Sequence, residues 1–159
     1  MTIRIVTDSA CDLPQYLIDQ HKISIVPLSV RFGEHEFIDR QDLTTEQFWT
    51  RCNSSPVLPE TAAPSPGQFE AEFRKLAAEG ATGIVMVALS GVLSATMQSA
   101  ELAAKAVAGH ISVRVVDSRS GSTGEESQRF QNCSVVRSCR SMNSCSPNRT
   151  ESGTMEILY

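Results

Sequence analysis

The chain has 159 residues, a net charge of −4 and 41% apolar residues, which suits a single domain with a moderate core. There is no basic patch interleaved with aromatics, so no nucleic-acid partner is expected, and no apolar run approaches the ~18–20 residues of a membrane span. Five cysteines, at 11, 52, 133, 139 and 145, form no CxxC pair and have no nearby His ladder, a spacing that argues against zinc and against a disulfide framework.

In chain order, Ile3–Thr7 reads as a buried strand that stops at Asp8-Ser9. No long apolar signal core precedes this first acid, and the expected location is cytoplasmic. Leu13-Pro14 opens a short helix over Gln15–Gln20, and a second apolar run follows over Ile23–Val30. Phe32–Ile38 alternates around the turn residues Gly33-Glu34, as a hairpin arm does. Thr44 or Thr45 can cap a helix over Glu46–Cys52 in which Phe48 and Trp49 are expected core anchors.

Arg51–Gln68, with prolines at 56, 59, 64 and 66, reads as the longest irregular segment of the body, a length that suits a loop lining a site or a linker. Pro66-Gly67 opens the next helix, with an apolar stripe of Phe69, Phe73, Leu76 and Ala77 and a stop at Gly80. Ile84–Leu89 is a continuous apolar run, the pattern of a strand buried on both faces. The hydroxyl-rich turn Ser90–Thr96 then leads into a helical pattern of Leu93, Met97, Ala100, Ala104 and Val107. Ser94 or Thr96 can cap that helix, and its free N–H groups and positive dipole end also suit a carboxylate or phosphate. Val113–Val116 is a further strand, stopping at Asp117-Ser118.

Three strands thus deliver small polar groups at their carboxyl ends. If they are parallel, the groups meet at the sheet edge where α/β folds bind ligands. The expected fold is α/β, a mostly parallel sheet flanked by helices over residues 1–119. Residues 120–159 change character: Ser, Arg, Asn, Thr and Cys dominate, and four Arg balance four Glu. That segment is expected to be an irregular, disordered tail, an unrelated or out-of-frame extension.

These motifs resemble the DegV family of bacterial fatty-acid-binding proteins, the lipid-carrying subunit of a two-component fatty acid kinase. IVTDSACDLP at 5–14 is similar to the family's opening strand and turn. ETAAPSPGQF at 60–69 resembles its Pro-Ser-Pro-Gly loop, with Ala62 in place of Ser. LSGVLSATMQSA at 89–100 resembles its hydroxyl-rich segment, with Ala95 and Met97 replacing Gly and Tyr, and VRVVDSRS at 113–120 resembles the next strand end. The resemblance implies a long-chain fatty acid whose carboxylate lies near Thr61 and Ser94, its chain in an apolar tunnel worth ~0.8 kcal/mol per buried CH₂.

Asp8, Ser9, Ser90, Gly91, Asp117 and Ser118 are secondary site-lining candidates, of which Asp8, Ser9, Asp117 and Ser118 are expected to brace the strand-end turns. The implied partner is the kinase's catalytic subunit, which phosphorylates the presented carboxylate to an acyl phosphate. No cofactor, metal or catalytic residue of this chain's own is implied. The family's chain is nearly twice as long, so a truncated form with impaired or absent function is one alternative. A phosphatase using Asp8 as nucleophile is another, although position 10, where that chemistry wants a second acid, is Ala.

Overall fold

The computed structural model describes residues 2–121. Its main sheet has four strands: β1 (Ile3–Asp8), β2 (Ser24–Val26), β6 (Gly83–Ala88) and β7 (Ser112–Asp117), in the order β2-β1-β6-β7. All three pairings are parallel, with Val6 opposite Met86 and Val87 opposite Val116. Helix α1 (Gln15–His21) crosses from β1 to β2, and α4 (Thr96–Ala106) crosses from β6 to β7. The connections leave β1 and β6 in opposite directions, so the strand order reverses between these two neighbours. The expected α/β fold, a mostly parallel sheet flanked by helices, is the observed one.

The core follows from the strand and helix periods. Every residue of β6 is buried, and alternation sends Ile84, Met86 and Ala88 to one face and Val85 and Val87 to the other. On the first face they join Val6 and Val26, with Phe69, Phe73 and Leu76 from α3 (Pro66–Ala78) and Ala100, Ala103 and Val107 from the α4 side. Burying each large side chain contributes about 1.5–3 kcal/mol. Small alanines on α4 let that helix approach the sheet closely. A Ser65 hydroxyl that accepts from the Gln68 N–H starts α3, with Pro66 in its first turn.

The segment between β2 and α3 departs from the expected pattern. The apolar run Ile23–Val30 is split: β2 ends at Val26, Pro27-Leu28 breaks the run, and β3 (Ser29–Phe32) starts a second sheet. Pro27 has no N–H to donate to a ladder, and the pairing of β2 with β1 stops at Val26, just before it. The second sheet is antiparallel, with order β4-β3-β5, where β4 is His35–Ile38 and β5 is Glu60–Ala62. The β3–β4 pair is the expected hairpin. Gly33 takes the positive φ of 61° that a two-residue connection demands at its first position. The stretch Arg51–Gln68 is not wholly irregular. Helix α2 (Thr45–Ser54) runs into it, and β5 and the start of α3 lie inside it.

Helix α2 has a capping box between Thr44 and Gln47. It packs Phe48 and Cys52 against Val30, Phe32 and Leu43 of a small second core. Trp49 is not the anchor its apolar character suggests: it is 60% exposed, because Phe48 and Cys52, four apart, define the inward face and Trp49 sits ~100° around from Phe48. Leu93 likewise lies before α4 rather than on its stripe, and is 68% exposed. Among the described residues no helix is long and apolar enough to cross a membrane. The expectation for 120–159 lies, from residue 122 onward, outside the described residues.

Candidate functional site

The loops after β1, β6 and β7 leave the same edge of the parallel sheet, and the sequence-predicted polar residues meet there. Asp8 is the hub. Its carboxylate is fully buried; one oxygen accepts from the Ala10 N–H at 3.0 Å and the other from the Leu89 N–H at 2.9 Å. The first bond closes the turn after β1 and the second crosses to the end of β6. Burial pushes the Asp8 carboxyl above its usual 3.8, while the Leu89 and Ala10 N–H groups and the charge of Arg40 pull the other way. With both oxygens occupied and none of the side chain exposed, Asp8 is arranged as a brace rather than as an accessible nucleophile.

Its neighbours hold the other seams. Ser9 Oγ accepts from the Leu28 N–H at 3.0 Å, which ties the β1 turn to the root of the second sheet. Thr7, which the sequence reading did not single out, donates its hydroxyl to the Val87 carbonyl at 3.0 Å. Asp117 Oδ1 accepts from Gly91 N at 3.3 Å and from Arg119 N at 2.8 Å. Ser118 N donates to the Ala88 carbonyl at 2.9 Å, and Ser90 N to the Ser120 carbonyl at 3.0 Å. The loop after β7 therefore doubles back onto the loop after β6. Gly91 is needed where these loops close: a Cβ there would stand 3.2 Å from Met97 Sδ and 3.4 Å from Asp117 Oδ2.

The same turn sets out a group of donors. The Ser90 carbonyl accepts the N–H groups of Leu93 and Ser94 at 2.9 and 3.0 Å, folding the turn tightly. Ser94 Oγ, half-buried, accepts from Thr96 N at 3.2 Å and lies 2.9 Å from Thr96 Oγ1. The expected capping role is thus real but shifted. The N-cap proper is Ala95, whose methyl cannot accept a hydrogen bond, and Ser94 serves the first helical N–H from one position outside it. The N–H groups of Met97 and Gln98 find no acceptor among the described residues. Orphan donors at the positive end of a helix, beside a hydroxyl, favour an anion.

Thr61 comes from elsewhere. It is the middle residue of β5, directly opposite Val30 in an antiparallel pair, and it is exposed. Its hydroxyl makes no hydrogen bond among the described residues, and it shares none with Ser94. Asp8, Ser90, Gly91, Asp117 and Ser118 tie the loops after β1, β6 and β7 together as a rim, and Ser94 joins them through its N–H to the Ser90 carbonyl. Ser9 instead bonds to Leu28, and Thr61 stands apart on the second sheet. Arg40, absent from the sequence reading, donates from its guanidinium to the Cys11 carbonyl in the loop after β1. Nothing in a lone arginine in the turn between β4 and α2 signals that reach. Among the described residues no group of three or more His, Cys, Asp or Glu side chains gathers as a metal site.

The chain is similar to known proteins over most of its described length. A DegV domain-containing protein of Staphylococcus aureus is 34% identical over 120 residues, which is 75% of this chain and 41% of that protein. The chain thus spans less than half the length of the curated relatives it matches. Among solved structures, a fatty-acid-binding DegV family protein from Thermus thermophilus is 35% identical with a TM-score of 0.71, over 87% of this chain and 48% of that one. A stearic-acid-binding protein from Eubacterium ventriosum is 30% identical with a TM-score of 0.75, over 92% and 50%. The family model described as "uncharacterised protein, DegV family" matches residues 2–145, past Ser120 where the quoted motifs end. A match over that much of the sequence places this chain in the DegV family.

Proposed function

We propose that this chain binds a long-chain fatty acid with its carboxylate near Thr61 and Ser94, and presents it to a separate kinase. The observation that carries this reading is the Ser90–Thr96 turn at the point where the strand order reverses. There the Ser94 hydroxyl stands beside the unpartnered N–H groups of Met97 and Gln98. The fatty acids named for the Thermus and Eubacterium proteins supply a ligand that fits such a site. Charge-assisted bonds from hydroxyls and N–H groups suit both carboxylate oxygens, and the alkyl chain gains ~0.8 kcal/mol per buried CH₂.

In this reading the chain does no bond chemistry of its own. It fixes the carboxylate, and the kinase transfers a phosphoryl group onto one of its oxygens to give an acyl phosphate. The kinase partner follows from the family resemblance of the quoted motifs.

The test is mass spectrometry of an organic-solvent extract of the chain purified from a bacterial host. A near-stoichiometric fatty acid is expected, and its length reports the space available. Ser94→Ala should retain less, because losing a hydrogen bond to a charged group weakens binding by about 1.5–3 kcal/mol. An empty extract from a folded, monodisperse sample defeats the proposal.

A further inference from the structure

The two hydroxyls of the proposed head-group site belong to different sheets, Thr61 to the second and Ser94 to the loop after the main sheet's β6. Their separation is set by what fastens one sheet to the other. Two side-chain hydrogen bonds help to do so. Ser9 Oγ holds Leu28 at the root of β3. Arg40, in the turn that follows β4, donates to the Cys11 carbonyl in the loop after β1. The two ties are neighbours at the root of the hairpin, where Asp39 N donates to the Leu28 carbonyl at 3.0 Å. One holds β3 while the other holds the chain leaving β4, so together they resist a rotation that either alone would allow. The turn carrying Arg40 is itself rigid, since Arg40 N donates to the Leu43 carbonyl at 3.2 Å and Asp42 Oδ2 accepts from Ile38 N at 2.8 Å.

The backbone at Arg40 makes a second, independent point. Its φ is +62°, a left-handed conformation that glycine adopts freely and that is unfavourable for a side chain carrying a Cβ. Such strain persists where the surroundings impose it, and it clusters at sites where a side chain is wanted in one place. The guanidinium is well suited to such a tie, being planar, permanently charged and rich in donors. Its charge also acts on the buried Asp8 carboxylate, the hub of the loop rim.

We propose that Arg40 is a positioning residue of the fatty-acid site, which sets the spacing between Thr61 and Ser94 by holding the turn after β4 to the loop after β1. The proposal rests on the carboxylate reading above. Arg40 itself makes no contact with the ligand in this assignment; it works by keeping the second sheet pre-organised.

The test is a double-mutant cycle on oleate affinity, measured by isothermal titration calorimetry with wild type, Arg40→Gly, Thr61→Ala and the double variant. Glycine accepts φ +62° without strain, so Arg40→Gly removes the guanidinium while relaxing the backbone. Asn, which tolerates the left-handed region, replaces it if glycine loosens the fold. Arg40→Gly is expected to weaken oleate binding roughly tenfold. In the Thr61→Ala background the same change should cost less than roughly twofold, because the hydroxyl it positions is gone.

Equal losses in both backgrounds, or no loss in Arg40→Gly while Thr61→Ala is impaired, overturn the role of Arg40 and leave the carboxylate reading standing. A Thr61→Ala variant that binds like wild type removes Thr61 from the site, and the role of Arg40 falls with it. No binding by the wild type removes the fatty-acid reading as a whole.

Discussion

Asp8 costs the fold free energy at neutral pH in return for joining two loops. Burial raises its pKa above 3.8 in the folded state, so the folded protein holds the proton more tightly than the unfolded chain does. Its contribution to stability is therefore complete below the unfolded value and is lost as pH rises through the folded one. This is opposite in sign to the acid loss expected of carboxylates held by ion pairs. Asp8→Asn keeps the shape and removes the titration. Its amide NH₂ then faces an N–H donor from Ala10 or Leu89, which costs about 1–3 kcal/mol. In urea unfolding followed across pH, the advantage of wild type over Asp8→Asn should grow as pH falls from neutral toward about 4. A difference that stays constant over that range means that Asp8 does not titrate there.

Helices α2 and α3 begin with the same device and depend on it differently. Both carry capping boxes, Thr44 with Gln47 and Ser65 with Gln68, and either cap is worth about 1 kcal/mol. Phe69, Phe73 and Leu76 bind α3 into the main core, so Ser65→Ala should lower the melting temperature with all probes in step. No residue of α2 is fully buried, so Thr44→Ala should open α2 locally. Trp49 is the only tryptophan in the chain and lies on α2. Its fluorescence should therefore change before the far-UV circular dichroism in Thr44→Ala, and together with it in Ser65→Ala. Coincident transitions in both would mean that α2 is not a separate unit.

The same contrast decides what was legible in the sequence. β1, β6 and β7 announce themselves by apolar runs ending in Asp-Ser or Ser, and α3 by a stripe at spacings of three and four, because each is long enough to express its period. β3, β4 and β5 have three or four residues, and so present two side chains or fewer to a face. The Gly33-Glu34 turn marks the β3–β4 hairpin, but β5 is too short to show a period, and the pairing of Thr61 with Val30 is a long-range fact. The rim of Asp8, Ser90 and Asp117 is accordingly legible in the sequence, while the β5 pairing that carries Thr61 and the Arg40 tie are not.

At the scale of the whole molecule, the two sheets differ in how easily each opens. The main core gathers Val6, Phe69, Phe73, Leu76 and Met86 with partners from β2, β6, β7 and the α4 side, whereas the second rests on Val30, Phe32 and Leu43. A small core with exposed neighbours opens at lower free energy than a large one. A ligand held by both sheets must be released before the second sheet can open, so it stabilises the closed form by RT ln(1 + [L]/Kd), about 2.7 kcal/mol at a hundredfold excess over Kd. A ligand held at Ser94 alone leaves that opening unchanged. Hydrogen exchange with and without oleate separates the cases. Binding across Thr61 and Ser94 should slow exchange at Val30 and Phe37 in the second sheet as well as at Ser94 and Met97. Protection confined to the Ser90–Thr96 turn and the start of α4 would take Thr61 out of the site and leave the second sheet without a part in holding the lipid.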